Sequence, residues 1–214
     1  MQPGAFLRGR WAPAAWVAVP IAIHFLLLAR FWFNAPVLDD YDCILDSMAA
    51  MARAASPREW LAQVFALQNE HRLAGTRLIP QLLAWTTGSV DFRVLMLLGT
   101  LFVLGAFAFI WSEFRESATG PVVAAAAFLL LQWSYDEALL MGSASTAHLG
   151  VVFFAFGALY FALRPGWRSA AWCAAGGVAA AYSQANGLFV LPLAGIACLA
   201  LRRPRRGAFF LAVA

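Results

Sequence analysis

The chain contains no lysine, and charged residues of every kind make up 12% of it. Soluble domains carry about twice that share, so the shortage excludes most soluble enzymes. The 15 basic residues are all arginine, and they sit in short runs between apolar blocks. That placement excludes a nucleic-acid surface as the meaning of the +4 formal charge. Cysteine is scarce as well. Cys43, Cys173 and Cys198 cannot build a disulfide framework, and no metal-ligand spacing connects them. A cleavage site is also missing. Arg8 and Arg10 precede an apolar run from Trp11 to Phe33, which ends in Arg30, Trp32 and Asn34 where a signal peptide would have small residues. The run therefore predicts an uncleaved first transmembrane helix with an aromatic outer edge. His24 lies inside it, either as a functional group in the membrane or as a residue hydrogen-bonded to a neighbouring helix.

What the chain has in abundance is apolar sequence: 63% of its 214 residues, with a mean hydropathy of +0.73. Blocks at 92–111, 120–134, 148–163, 169–185 and 187–201 follow the first, and another begins at Gly207. A spanning helix needs about 20 residues. The prediction is an all-α, polytopic transmembrane helix bundle, one domain over 1–214, with about six full spans and a seventh cut short at Ala214. A chain ending inside a span is expected to be the N-terminal part of a longer protein.

The block at 73–88 is short, carries Arg77 and has Pro80 at its centre. If it does not cross, the loops with Arg8/Arg10, Arg115, Arg164/Arg168 and Arg202/Arg203/Arg205/Arg206 all lie on one side. If it crosses, seven of those arginines (115, 164, 168, 202, 203, 205 and 206) change sides. Arginine in short loops marks the cytoplasmic face. The expected arrangement is thus a cytoplasmic N-terminus and a re-entrant or interfacial helix at 73–88. Segments 34–91 and 135–147 and the turn at Ser183–Gly187 then face outward.

Two helices are expected in 34–91. One begins near Asp39, with Ile44, Leu45, Met48 and Met51 on its apolar side and Asp39, Asp42 and Asp46 opposite. The other starts at Ser56-Pro57-Arg58-Glu59, a capping box with proline at the first helical position. Both are amphipathic and suited to a membrane surface. Leu38-Asp39-Asp40-Tyr41-Asp42 reads either as a helix cap with solvated neighbours or as a site. Its carboxylates could hold a divalent cation or act as a general base. Gln68-Asn69-Glu70-His71-Arg72 reads as a polar helix end or as a second part of that site, with Arg72 and Arg77 able to grip phosphate. Tyr135-Asp136-Glu137, His148 and Ser183-Gln184-Ala185-Asn186-Gly187 fall on the same side, although Asn186-Gly187 is by default a turn.

These motifs resemble the GT-C superfamily of integral-membrane glycosyltransferases. Asp39-Asp40 matches its acidic pair after the first helix, Glu70-His71-Arg72 its second polar segment, and Tyr135-Asp136-Glu137 the acidic motif of the next external loop. The His-Pro-Pro signature of protein O-mannosyltransferases is absent, since Arg72 and Leu73 follow His71. The resemblance implies a GT-C-like fold. It also implies transfer of a sugar from a polyprenyl-phosphate donor to an acceptor glycan, lipid or protein on the external (periplasmic) face of a bacterial inner membrane. It makes Asp39 or Asp40 the catalytic base and Arg72 and Arg77 the donor-phosphate ligands. Glu70, His71, Asp136, Glu137, Gln184 and Asn186 would support the site. A divalent cation, Mg or Mn, would sit between Asp40 and Glu70 if the chemistry uses one. The rival readings are a transporter or lipid-linked-sugar flippase and a non-catalytic membrane scaffold. A transporter should place ionisable groups at the bilayer midplane and repeat itself internally. His24 is the candidate for the first, and no repeat is evident.

Overall fold

The computed structural model describes residues 12–114 and 120–214. Arg8, Arg10 and Arg115, three members of the arginine pattern, lie outside the described residues. Every regular element among the described residues is helical. Helix α1 (Ala12–Phe31) leads through a short loop into a π-helical turn, Tyr41–Asp46, which continues into α2 (Ser47–Ala52). Next come α3 (Pro57–Val64), α4 (Ala74–Thr87), α5 (Phe92–Phe114) and α6 (Gly120–Leu131). The chain continues with α7 (Asp136–Leu140), α8 (Gly142–Ala162), α9 (Trp167–Ala181), a 3₁₀ turn at Ala185–Phe189, α10 (Val190–Ala200) and α11 (Pro204–Ala212).

Two of the described helices, α5 and α8, are long and apolar enough to cross a membrane. The apolar stretches Ala15–Phe31, Gly120–Leu131 and Ala185–Ala200 are shorter. Helix α4 has 14 residues, about 21 Å at the α-helical rise, against a hydrocarbon core of about 30 Å. It stops at Gly88, whose φ of +82° closes the last turn as its N–H donates to the Ala84 carbonyl. Helix α3 starts as its sequence requires. The Ser56 hydroxyl accepts the Glu59 N–H at 3.2 Å, and the Glu59 carboxylate reaches back to the Ala55 N–H at 2.8 Å.

Helix α5 packs along α8, α8 along α9, α1 along α6, and α10 along α11. Small residues make these approaches possible. A Cβ on Gly99 would come within 2.7 Å of the Ser145 Cβ, so α5 and α8 meet almost backbone to backbone. His24 joins three helices. Its Nδ1 donates to the Leu131 carbonyl at the end of α6 (3.0 Å), and its Nε2 accepts from the Thr100 hydroxyl of α5 (3.1 Å). Both ring nitrogens are used and the residue is buried. Of the two readings of His24, the structure adopts the interhelical tie.

One boundary differs from expectation. The segment 135–147 was expected to be an outer loop, with the next block opening at His148; instead α8 begins at Gly142 and residues 142–147 are buried. Their hydroxyls lower the local hydropathy, yet they are satisfied inside the fold. Ser145 donates to the Ala138 and Leu139 carbonyls at 2.9 Å, and Thr146 to the Gly142 carbonyl at 3.0 Å.

Candidate functional site

Four segments meet at the N-terminal end of α8 and enclose a cavity of about 240 Å³. Asp39, Asp42 and Cys43 come from the loop and π-helical turn after α1. Gln68, Asn69 and His71 come from the loop before α4, Ser143 and His148 from α8, and Gln184 from the turn after α9.

The first wall follows from helical periodicity. Asp40, Ile44, Ser47 and Met51 are buried along one side of the turn and α2, which sends Asp39 and Asp42 to the open side. The adjacent aspartates thereby take different tasks. The Asp40 carboxylate, fully buried, accepts the Ser143 N–H at 2.6 Å, the Gly142 N–H at 3.2 Å and the Val37 N–H at 3.1 Å. It caps α8 from across the fold, satisfying two of that helix's free N–H groups where its dipole favours negative charge. Asp39 is exposed and faces the cavity. The expectation that either could be the base is corrected: both Asp40 oxygens are committed to backbone donors.

The second wall is a tight turn where a polar helix end was one reading. Gln68 and His71 exchange backbone hydrogen bonds of 2.8 and 2.9 Å, and Asn69 takes a left-handed conformation at φ +51°. Arg77 holds this turn from below. Buried in α4, it donates to the Ser47 hydroxyl (3.0 Å), the Gln63 carbonyl (2.9 Å), the Ala66 carbonyl and the Gln68 side-chain oxygen (3.4 Å). A guanidinium so occupied is a structural clamp, and its expected place on a donor phosphate is corrected. Arg72 is exposed and does not line the cavity.

The third contact docks the turn onto the α9–α10 connection. His71 Nδ1 accepts the Ala185 N–H at 3.2 Å, and the Ala74 N–H donates to the Tyr182 carbonyl at 3.0 Å. Nδ1 is therefore unprotonated, and Nε2 carries the proton as a donor, 3.7 Å from the exposed Glu70 carboxylate. Gly187 allows this connection to fold tightly, because a Cβ there would overlap the Ala180 carbonyl.

Three of the expected polar clusters converge, through Asp39, His71 and Gln184. Asp136 and Glu137 do not join them. They are exposed in the first turn of α7, where buried Leu139 turns that helix's other face inward. Asn186 is exposed in the 3₁₀ turn, outside the cavity. The cation site between Asp40 and Glu70 does not fit, since one carboxylate is spent on backbone N–H groups and the other is at the surface. Among the described residues no three His, Cys, Asp or Glu side chains are grouped to hold a metal.

Asp42, part of the acidic cluster, and His148, on the expected outer side, line the cavity although the sequence gives neither a role of its own, and Ser143 was missed. The first was legible, because Asp42 had already been placed opposite the apolar side, with Asp39. Ser143 had no signal in a run of small residues. Its hydroxyl is buried beside the cavity and has no hydrogen-bond partner among the described residues. Cys43 also borders the cavity. Burial, reinforced by Asp39, pushes its thiol up to about 11, so it stays protonated and inert.

The described residues thus form an all-helical fold with two helices of membrane-spanning length and a carboxylate- and imidazole-lined cavity at the N-terminal end of α8. Comparison with family models, curated proteins and solved structures gives no match.

Proposed function

We propose that the chain is a polytopic membrane glycosyltransferase module of GT-C type, acting on a polyprenyl-phosphate-linked sugar at the cavity. The observation that carries the reading is the composition of the cavity wall. Asp39 and Asp42 supply carboxylates, His71 an N–H donor, and Gln68, Gln184 and Ser143 polar groups suited to a polyhydroxylated ligand. The arginine distribution supports the orientation. Helix α8 runs from the cavity to the turn holding Arg164, with Arg168 in the first turn of α9, and Arg203 and Arg206 at the start of α11 donate to carbonyls of that α8–α9 turn. By the arginine rule that end is cytoplasmic and the cavity is external.

Asp39 is the base. It takes the proton of the acceptor hydroxyl as that oxygen bonds to the anomeric carbon, and the carbon–oxygen bond to phosphate breaks with its electron pair leaving on the lipid phosphate. Attack opposite the leaving group inverts the anomeric centre. Among the described residues no arginine lines the cavity. The lipid phosphate therefore belongs at the rim, where Arg72 is the exposed cation of the same loop.

The test uses membranes with the full chain and a labelled polyprenyl-phosphate sugar, following release of label from lipid. Asp39→Asn should lose about 10²–10⁴ in rate, as removal of a general base does, while keeping the wild-type melting profile. Wild-type turnover in Asp39→Asn would remove the base from the mechanism and leave a scaffold as the better reading.

A further inference from the structure

We propose that His71 is the hydrogen-bond donor to the leaving oxygen of the lipid phosphate, acting as a neutral imidazole whose proton is kept on Nε2 by the backbone of the α9–α10 connection. The inference rests on the glycosyltransferase reading above and deepens it at the phosphate.

The ring is fixed in one tautomer. Its Nδ1 accepts the Ala185 N–H at 3.2 Å, a bond that an imidazolium cannot make because both of its nitrogens carry protons. The proton of the neutral ring is therefore on Nε2. That proton is unspent. Among the described residues it meets only the Glu70 carboxylate, which is 76% exposed and 3.7 Å away, beyond hydrogen-bond reach. Asp40 and Arg77, by contrast, have their polar atoms engaged within the fold. The His71 ring is 29% exposed and borders the cavity, and the next residue is Arg72, the exposed cation assigned to the rim. Asp39 comes from the turn after α1 and His71 from the turn before α4, two different walls. An inverting displacement needs its base and its leaving oxygen on opposite sides of the anomeric carbon, and groups on separate walls can meet it so.

The chemistry gives this donor its value. As the carbon–oxygen bond breaks, its electron pair moves onto the phosphate, which passes from a diester monoanion to a monoester dianion. The acceptor proton goes to Asp39, and the His71 proton stays on Nε2. A fixed N–H at the leaving oxygen is bound more strongly in the transition state than in the donor, which is the condition for lowering the barrier.

The test is isothermal titration calorimetry of the full chain in non-ionic detergent at pH 7.5, with farnesyl phosphate as a short form of the released lipid and farnesol as the uncharged control. Two variants divide the ring. In His71→Asn the amide oxygen can take the Nδ1 place and accept the Ala185 N–H, while the Nε2 donor is gone. In His71→Gln the amide nitrogen reaches the Nε2 place, and the Ala185 contact is lost. A hydrogen bond to a charged group is worth about 10- to 100-fold in affinity. His71→Asn should lose about that factor for farnesyl phosphate and nothing for farnesol, with a wild-type melting profile. His71→Gln should keep its phosphate affinity within about threefold. One further measurement needs no variant: with nitrogen-15-labelled histidine, the His71 Nε2–H resonance of the wild type should move on adding farnesyl phosphate and stay in place with farnesol. Wild-type affinity for farnesyl phosphate in His71→Asn, an equal loss in both variants, or an unmoved resonance overturns the assignment and leaves the glycosyltransferase reading standing. A wild type that binds farnesol as tightly as farnesyl phosphate overturns that reading, and the inference with it.

Discussion

Replacing Asp40 tests the division of labour between the adjacent aspartates. Asp40→Ala strands the N–H groups of Val37, Gly142 and Ser143, which the carboxylate accepts at 3.1, 3.2 and 2.6 Å. The site is fully buried, so water offers no replacement. An unsatisfied buried donor costs about 1–3 kcal/mol, and the cap is lost as well. With partial relaxation the total is about 3–6 kcal/mol, a large part of the roughly 5–15 kcal/mol that holds a typical domain together. Asp40→Asn keeps one oxygen for Ser143 but turns an amide toward the other two donors, at a cost of about 2–4 kcal/mol. In a chain of this size each kcal/mol moves the melting temperature by about 2–4 °C. Thermal unfolding in detergent should therefore show a drop on the order of 10 °C for Asp40→Ala, less for Asp40→Asn, and little change for Asp39→Asn. Any loss of turnover in the Asp40 variants should scale with the unfolded fraction. A wild-type melting curve for Asp40→Ala would refute the capping role. An Asp40→Asn protein that is folded but inactive would return Asp40 to the chemistry.

Cys43 should resist maleimide at pH 7.5 until the protein unfolds, because it is 5% exposed and its thiol is raised to about 11. Rapid labelling of the native protein would contradict that environment. The sign for stability follows: the raised value favours the fold while the unfolded thiol is protonated, and this contribution fades as pH rises from about 9 toward 11. Arg77→Met should destabilise by about 2–5 kcal/mol, since it leaves two or more buried neutral acceptors, at about 1–3 kcal/mol each before relaxation, without their donor. Thermal unfolding reads this, and an unchanged melting temperature would show the clamp to be idle. For topology, single cysteines at Glu70 and Asn186 should label from outside intact cells and those at Ser169 and Arg205 should not. External labelling of the latter pair would invert the arrangement.

What the sequence determined by itself rests on short-range physics. The Ser56–Glu59 cap, the stop at Gly88 and the helical class depend on neighbours within a few residues. So does the shortness of α4, bounded by polar and glycine residues. Even the burial of Asp40 was legible. The apolar face of Ile44, Met48 and Met51, continued back one turn, reaches residue 40, while Asp39 and Asp42 fall on the other side. The partners were not legible. Asp40 is 102 and 103 residues from the N–H groups of α8 that it caps, His71 is 114 from the amide that sets its tautomer, and Arg77 hides among carbonyls that any loop could have presented. A run of polar residues announces that hydrogen bonds will be made, and not with which segment. Backbone donors and acceptors leave no mark in the side-chain alphabet. That is why the tertiary structure alone could separate the carboxylate that faces the cavity from the one that holds the helix, and could leave Asp136 and Glu137 outside.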